Sequence, residues 1–138
     1  GQCLYCALVE REASSSRLVL ECGGFIAFCP FAPRFGYEIW VLPKVHGPSL
    51  AQASDAEIAA LADLLRTLIA KLNCVHADAP FNYVIHSAPG GGVDANYHWN
   101  LKILPQFSRA AGFEWGSGMH MNPVTPEAAA RVLRDAPD

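Results

Sequence analysis

No run of apolar residues in this 138-residue chain approaches the ~18 needed to span a bilayer, and no signal-peptide pattern opens it. A membrane is therefore not a predicted partner. A basic excess is missing too. Ten lysines and arginines against thirteen acids give a formal charge of −3, leaving no stripe to grip a nucleic-acid backbone through many phosphates. Five cysteines at scattered spacing do not form a disulfide framework, and a domain of this length folds without one; a reducing cytoplasm is the implied location. Repeats and low-complexity tracts are absent. The opening Gly1-Gln2-Cys3 has no methionine, which predicts that the native start lies upstream. What is present suits a packed core: 51% hydrophobic and 17% charged residues, enough for a single domain over 1–138.

Local signals divide the chain. Residues 3–16 read as a short metal-knuckle segment followed by a polar loop. Residues 17–21 and 25–28 read as strands, with Gly23-Gly24 as the tight turn of a hairpin. Residues 37–42 are aromatic and β-branched, and Pro43 ends them. Ser54-Asp55-Ala56-Glu57 is a capping box, followed by an apolar stripe of helical period at Ile58, Leu61, Leu65, Leu68, Ile69 and Leu72, with Asn73 as the predicted stop. Two further strands are predicted at 81–87 and 97–104, separated by a loop that holds Gly90, Gly91 and Gly92. That loop lacks a P-loop lysine pattern and reads as a flexible turn. Thr125 and Pro126 open a last short helix running to about Arg134. The sum is an α+β domain: an antiparallel sheet of about five strands, one long helix and a short C-terminal helix.

Two places carry chemistry. Cys3-Leu4-Tyr5-Cys6 spaces its sulfurs so that both can face one metal ion, and zinc is the favoured reading. The alternatives are a redox pair, which belongs after a strand in a βαβ unit, and coincidence. Cys22, Cys29 and Cys74 sit beside apolar residues and are predicted to be small buried hydrophobes. The second place is His98-Trp99-Asn100-Leu101-Lys102-Ile103, whose period of two puts His98, Asn100 and Lys102 on one face. Alone, this pattern also describes an ordinary half-exposed antiparallel strand. Lys44 and Arg109 read as solvated cations, and Trp40, Trp99 and Trp115 as core or interface packing.

The strand and its surroundings resemble the histidine-triad superfamily, with the triad positions read as His98, Asn100 and Lys102. Cys3-x-x-Cys6 and Leu42-Pro43-Lys44-Val45-His46 fit the same pattern. The resemblance implies a histidine-triad-like domain with structural zinc held by Cys3, Cys6, His46 and His98. A narrower resemblance covers nearly the whole chain. Phe28-Cys29-Pro30-Phe31-Ala32, the run from Tyr37 to His46, His98-Trp99, the run from Ala111 to Gly118, and Asn122-Pro123-Val124-Thr125-Pro126-Glu127 are similar to the second half of the galactose-1-phosphate uridylyltransferase family.

That family implies a C-terminal domain of a longer enzyme. Its first half carries the nucleophilic histidine that moves UMP between UDP-glucose and a hexose 1-phosphate. Implied partners are a nucleotide sugar, a hexose 1-phosphate, the N-terminal catalytic half of the same protein, and a second copy in a homodimer. Phe113 and Glu114 match the segment that contacts the hexose, and Asn100 and Lys102 join them as substrate-binding positions. The superfamily's nucleophile is the middle triad histidine, and here that place is Asn100, whose amide has no basic lone pair on nitrogen. No catalytic residue is predicted in this segment, and alone it is predicted inactive. Some second halves carry iron; Lys102 and Leu104 occupy two of those ligand places, so no iron is predicted, and His86 is left as a hydrogen-bonding loop residue. The alternative function is a stand-alone, non-catalytic nucleotide- or sugar-phosphate-binding module. An independent histidine-triad hydrolase is the third reading, and Asn100 opposes it.

Overall fold

The computed structural model describes residues 3–89 and 96–137. The glycines at 90–92 and the first two residues lie outside the described residues. β1 (Leu18–Cys22) and β2 (Phe25–Phe28) are joined by Gly23 and Gly24, both at positive φ, 57° and 85°. Two left-handed residues in succession give a turn whose twist matches that of the paired strands. Gly23 is needed for space as well, because a Cβ there would lie 2.7 Å from the Cβ of Ala60. β3 (Ile39–Pro43) pairs with β2, and β4 (Phe81–His86) pairs with β5 (Asn100–Pro105). All pairings are antiparallel, in the order β1-β2-β3-β5-β4. Residues 97–99 were expected in the last strand but precede it. The Trp99 amide donates to the Gly47 carbonyl at 2.9 Å, outside the β3–β5 ladder.

The strands alternate between two packed faces. Phe25, Ala27, Ile39, Val41, Leu101 and Ile103 form the main core with α2 (Asp55–Val75) and α4 (Pro126–Asp135). The Ser54 capping box forms as expected, with Glu57 accepting the Ser54 amide at 2.8 Å. α2 runs past the predicted stop at Asn73, whose side chain instead accepts the Ala79 amide at 3.2 Å. Its buried face is centred on Leu61, Leu64, Leu68 and Leu72, so Ile58 stays 48% exposed. The opposite face of the sheet buries Ile26, Phe28 and Leu42 beneath Val9 of α1 (Leu4–Glu12).

α1 corrects the sequence reading, which placed a knuckle and a polar loop there. Tyr5, Leu8, Val9 and Glu12 stand at i, i+3, i+4 and i+7, one helical stripe whose last member is charged. Docking on β2 and β3, not intrinsic propensity, makes this segment helical. A second short helix, α3 (Gly112–Ser117), was also not anticipated. Its two glycines, Gly112 at the start and Gly116 inside, argue against a helix, but Glu114 reaches back to accept the Ala111 amide at 2.6 Å. Among the other cysteines, only Cys29 is buried, and burial pushes its thiol up to about 12. Cys22 and Cys74 are exposed, contrary to expectation, because one ends an edge strand and the other faces outward in the last turn of α2.

The β1 edge is closed. Its register shifts between Leu18 and Leu20, and the Arg134 guanidinium of α4 donates to the Leu18 carbonyl. Beside it, the Glu12 carboxylate is fully buried and accepts from Arg17 at 2.8 and 3.1 Å, from Ser15 at 2.7 Å and from Arg11 at 3.2 Å. Arg17 also reaches Glu127 of α4 at 3.2 Å. Burial alone raises the Glu12 carboxyl, but hydrogen bonds from Arg17, Ser15 and Arg11 and the charge of Arg17 outweigh it and hold it below its ordinary range.

Removing one partner of a buried pair costs about 3–5 kcal/mol, so Glu12→Ala should lower the urea-unfolding free energy by that amount. The pH dependence follows from the lowered carboxyl. Its contribution is fully present above the unfolded glutamate value of ~4.3 and is lost as pH falls through the lower folded value. Wild type should therefore lose stability below pH ~4.3 more steeply than Glu12→Gln, in urea titrations at stepped pH.

Candidate functional site

Cys3 caps the start of α1 and Cys6 follows one turn later, so both sulfurs lie on the same side of the helix. His46 follows Pro43 at the end of β3, and His98 lies two residues before the start of β5. The fold brings these four together: one donor atom from each lies within 4.8 Å of all the others, a group able to hold a metal ion. Cys6 Sγ is 3.4 Å from His46 Nδ1 and 3.5 Å from His98 Nδ1, and Cys3 Sγ is 3.9 Å from His98 Nδ1. His98 is buried, and its Nε2–H donates to the Pro43 carbonyl at 2.9 Å. A carbonyl only accepts, so the proton sits on Nε2 and the lone pair of Nδ1 faces the sulfurs. The two imidazoles meet edge to face, with centroids 5.1 Å apart.

The electrostatics favour the ligand forms of His98 and Cys3 and oppose that of Cys6. Burial lowers the basicity of His98, and the neighbouring His46 adds to this against the opposing bond to Pro43, so the ring is neutral near pH 7. Burial tends to raise the Cys3 thiol, but the amides of Cys6 and Tyr5 at the helix start, with the Cys6 and His46 side chains, bring it below its ordinary value. Cys6 is raised, by burial first and then by Cys3.

Along β5, Asn100 and Lys102 share a face, as period two requires. Asn100 is buried, and its Oδ1 has no hydrogen-bond partner among the described residues. Lys102 is half-buried, with its ammonium 4.0 Å above the Trp40 ring. His86 is not in a loop: it is the last residue of β4, opposite Asn100 in register, because the β4–β5 ladder runs that far. Lys102 and His86 line a cleft of about 450 Å³ with Arg34, Glu38, Trp40 and Val84. Glu38 is buried there with both oxygens engaged. Oε1 accepts the Trp40 indole N–H at 2.8 Å, and Oε2 accepts the amides of Arg34 at 2.8 Å and Phe35 at 3.4 Å.

Phe113 and Glu114 sit on α3, apart from the four metal donors. Glu114 lines a different cavity, of about 660 Å³, with Arg109, Trp115 and His120; the two cavities share Arg34 and Phe35. Its carboxylate also accepts the Met121 amide at 3.4 Å, so it orders this loop. Phe113 is 58% exposed, and Trp115, expected in core or interface packing, is 81% exposed and so outside this chain's core, because α3 projects from it; Trp99 is buried as expected. Lys44 is ion-paired with Glu21. The sequence reading missed Arg34, Glu38 and the role of Trp40 beneath Lys102. Period-two register between β3 and β5 was the available signal for the last of these.

No family model matches the chain. ADP-glucose phosphorylase of Arabidopsis thaliana is 36% identical to it across 98% of this chain and 38% of the relative. A galactose-1-phosphate uridylyltransferase of Thermotoga maritima is 31% identical across 97% of this chain and 45% of its own length. The chain thus spans less than half the length of these curated relatives. The crystal structure of an Arabidopsis thaliana ADP-glucose phosphorylase with bound ADP-glucose superposes on 100% of this chain and 44% of its own, with a TM-score of 0.88 at 33% identity. A zinc-bound histidine triad family protein of Mycobacterium smegmatis shares the fold, with a TM-score of 0.66 at 23% identity, across 96% of this chain and 91% of its own. No helix among the described residues is long and apolar enough to cross a membrane.

A buried acceptor without a partner costs about 1–3 kcal/mol, whereas an apolar side chain of the same shape carries no such cost. Asn100→Leu removes that unpaired oxygen at the cost of the 3.4 Å Nδ2–H bond to the His98 carbonyl, and is therefore expected to leave the urea-unfolding free energy unchanged or raised by up to about 1 kcal/mol. A clear loss of stability in that variant would mean that the amide is satisfied in the folded protein.

Proposed function

We propose, for a chain that belongs to the galactose-1-phosphate uridylyltransferase and histidine-triad superfamily, that it forms the second, non-nucleophilic half of a longer nucleotidyltransferase. The observation that carries this reading is Asn100. It stands where the superfamily places its nucleophile, yet the surrounding strand and the four metal donors are intact. An amide cannot take up a nucleotidyl group and release it again as an imidazole does. The nucleophile then belongs to an N-terminal half, with a nucleotide sugar and a hexose 1-phosphate as substrates. Relatives named for ADP-glucose and for galactose 1-phosphate support nucleotide-sugar chemistry of this class.

Within such an enzyme this domain supplies three things. Cys3, Cys6, His46 and His98 hold a structural zinc that pins α1 to the end of the sheet. A tetrahedral zinc with bonds of about 2.3 Å to sulfur and about 2.0 Å to nitrogen sets S···N edges of about 3.5 Å. The separations of 3.4, 3.5 and 3.9 Å between these donors support that fit. Phe113 and Glu114 contact the sugar, Asn100 and Lys102 face the substrate, and the exposed α3 segment contributes dimer surface. A reducing compartment such as the cytoplasm keeps Cys3 and Cys6 available as ligands.

Two measurements test this reading. Elemental analysis of the purified chain should find about one zinc per molecule, and Cys3→Ser should lose the metal and melt at a lower temperature. A metal-free protein of equal stability ends the zinc assignment. Separately, the longer polypeptide in which a histidine-bearing first half precedes this chain should exchange label between a nucleotide sugar and a hexose 1-phosphate. Trials would pair UDP-glucose and ADP-glucose with galactose 1-phosphate and glucose 1-phosphate. No exchange in any pairing would remove the function.

A further inference from the structure

α1 packs on the β1–β2–β3 side of its face of the sheet and reaches β5 as far as Asn100 through Tyr5; farther along, Lys102 of β5 and His86 of β4 open into the cleft beneath the 31–38 loop. We infer that this cleft is a phosphate-class oxyanion site, with Arg34 and Lys102 supplying charge and His86 a ring nitrogen. The inference deepens the proposed substrate contact at Lys102 and rests on that reading for its place in the enzyme, though not for its chemistry.

Three observations carry it. First, the charges in the cleft do not balance. Arg34 and Lys102 make no ion pair among the described residues, and the one acid, Glu38, already has both oxygens taken by N–H donors. Its hydrogen-bonding capacity is spent on shaping the loop and fixing Trp40, which leaves little to hold a lysine. Second, the lysine is held in place without an anion. The Trp40 face supports the ammonium at 4.0 Å, and the indole is itself anchored by its N–H bond to Glu38 at 2.8 Å. A cation fixed in this way needs little reordering when a ligand arrives. Third, the two cations oppose each other. Lys102 is less basic than an ordinary lysine, through burial first and then the nearby Arg34, against the pull of Glu38. His86 is lowered by burial and by Lys102, so its ring takes part as a neutral hydrogen-bonding group. An oxyanion between Arg34 and Lys102 relieves their repulsion and accepts charge-assisted hydrogen bonds. The volume, about 450 Å³, admits a phosphoryl group together with part of the molecule that carries it.

The test is equilibrium binding of inorganic phosphate to the purified chain, followed by phosphorus NMR at pH 7 with ionic strength held constant by chloride. Saturable binding is expected. Lys102→Met and Arg34→Gln should each weaken it about tenfold or more, the scale of one lost charge-assisted hydrogen bond. Lys44→Met, whose lysine pairs with Glu21 on the hairpin, should leave it unchanged. Arg34 is exposed, so its variant should fold normally, and circular dichroism checks this. Glucose 1-phosphate provides a second arm. Comparable affinity for both ligands supports recognition of the phosphoryl group itself. Binding of the sugar phosphate without inorganic phosphate, binding that survives both variants, or binding that chloride abolishes at equal ionic strength each overturns the inference. Loss of nucleotidyl exchange in the longer enzyme would remove the proposed function and leave this binding result untouched.

Discussion

Everything in this domain hangs on the two-sidedness of β5. One strand, flanked by β3 and β4, must put Leu101 and Ile103 into the main core while presenting Asn100 and Lys102 on the other side. The core residues set the register, because a slip of one residue would drive a lysine and an asparagine into the packing against α2. Once they are fixed, His98 has no freedom either: the Trp99 amide is tied to Gly47, and the His98 ring is tied to Pro43. The chemistry at the end of the strand is therefore aimed by hydrophobic packing several residues away.

The metal donors illustrate how local and distant constraints meet. Helical geometry in α1 brings Cys3 and Cys6 to one side, and the sheet brings His46 and His98 to the same point. Neither pair is sufficient. The stripe of Tyr5, Leu8 and Val9 makes the connection, because it seats α1 on Ile26, Phe28 and Leu42 with the cysteine end over the histidines. Glu12 anchors the far end of the same helix by its bonds to Arg17. A helix held at both ends by different physics, apolar burial along its length and ionic pairing at its tail, has little room to tilt.

Much of this was legible in the sequence for identifiable reasons. The Gly23-Gly24 hairpin, the Ser54 capping box and the Thr125-Pro126 start are local signals, and local chemistry decides them. The gathering of Cys3, Cys6, His46 and His98 into one group able to hold a metal ion was legible because resemblance supplied their pairing, which spacing alone does not. α1 was missed because a buried glutamate terminates its apolar stripe and masks the period. α3 was missed because its glycines oppose helix and only Glu114 compensates. The cleft could not be read at all. It depends on Arg34 and Glu38 from an irregular loop meeting Lys102 and His86 from strands far along the chain, and no periodicity links them.

The closed edge at β1 has a consequence for assembly. A bulge, the guanidinium of Arg134 on the Leu18 carbonyl, and the Arg17 bracket between α1 and α4 leave that side a poor template for another strand. Among the described residues β4 carries none of these guards. It has no strand beyond it among the described residues, and Tyr83, Val84 and Ile85 are all exposed. The sheet is thus directional: it terminates at one border and is extensible at the other. Among the described residues, a continuation of its hydrogen-bond ladder meets fewer obstacles at β4 than at β1.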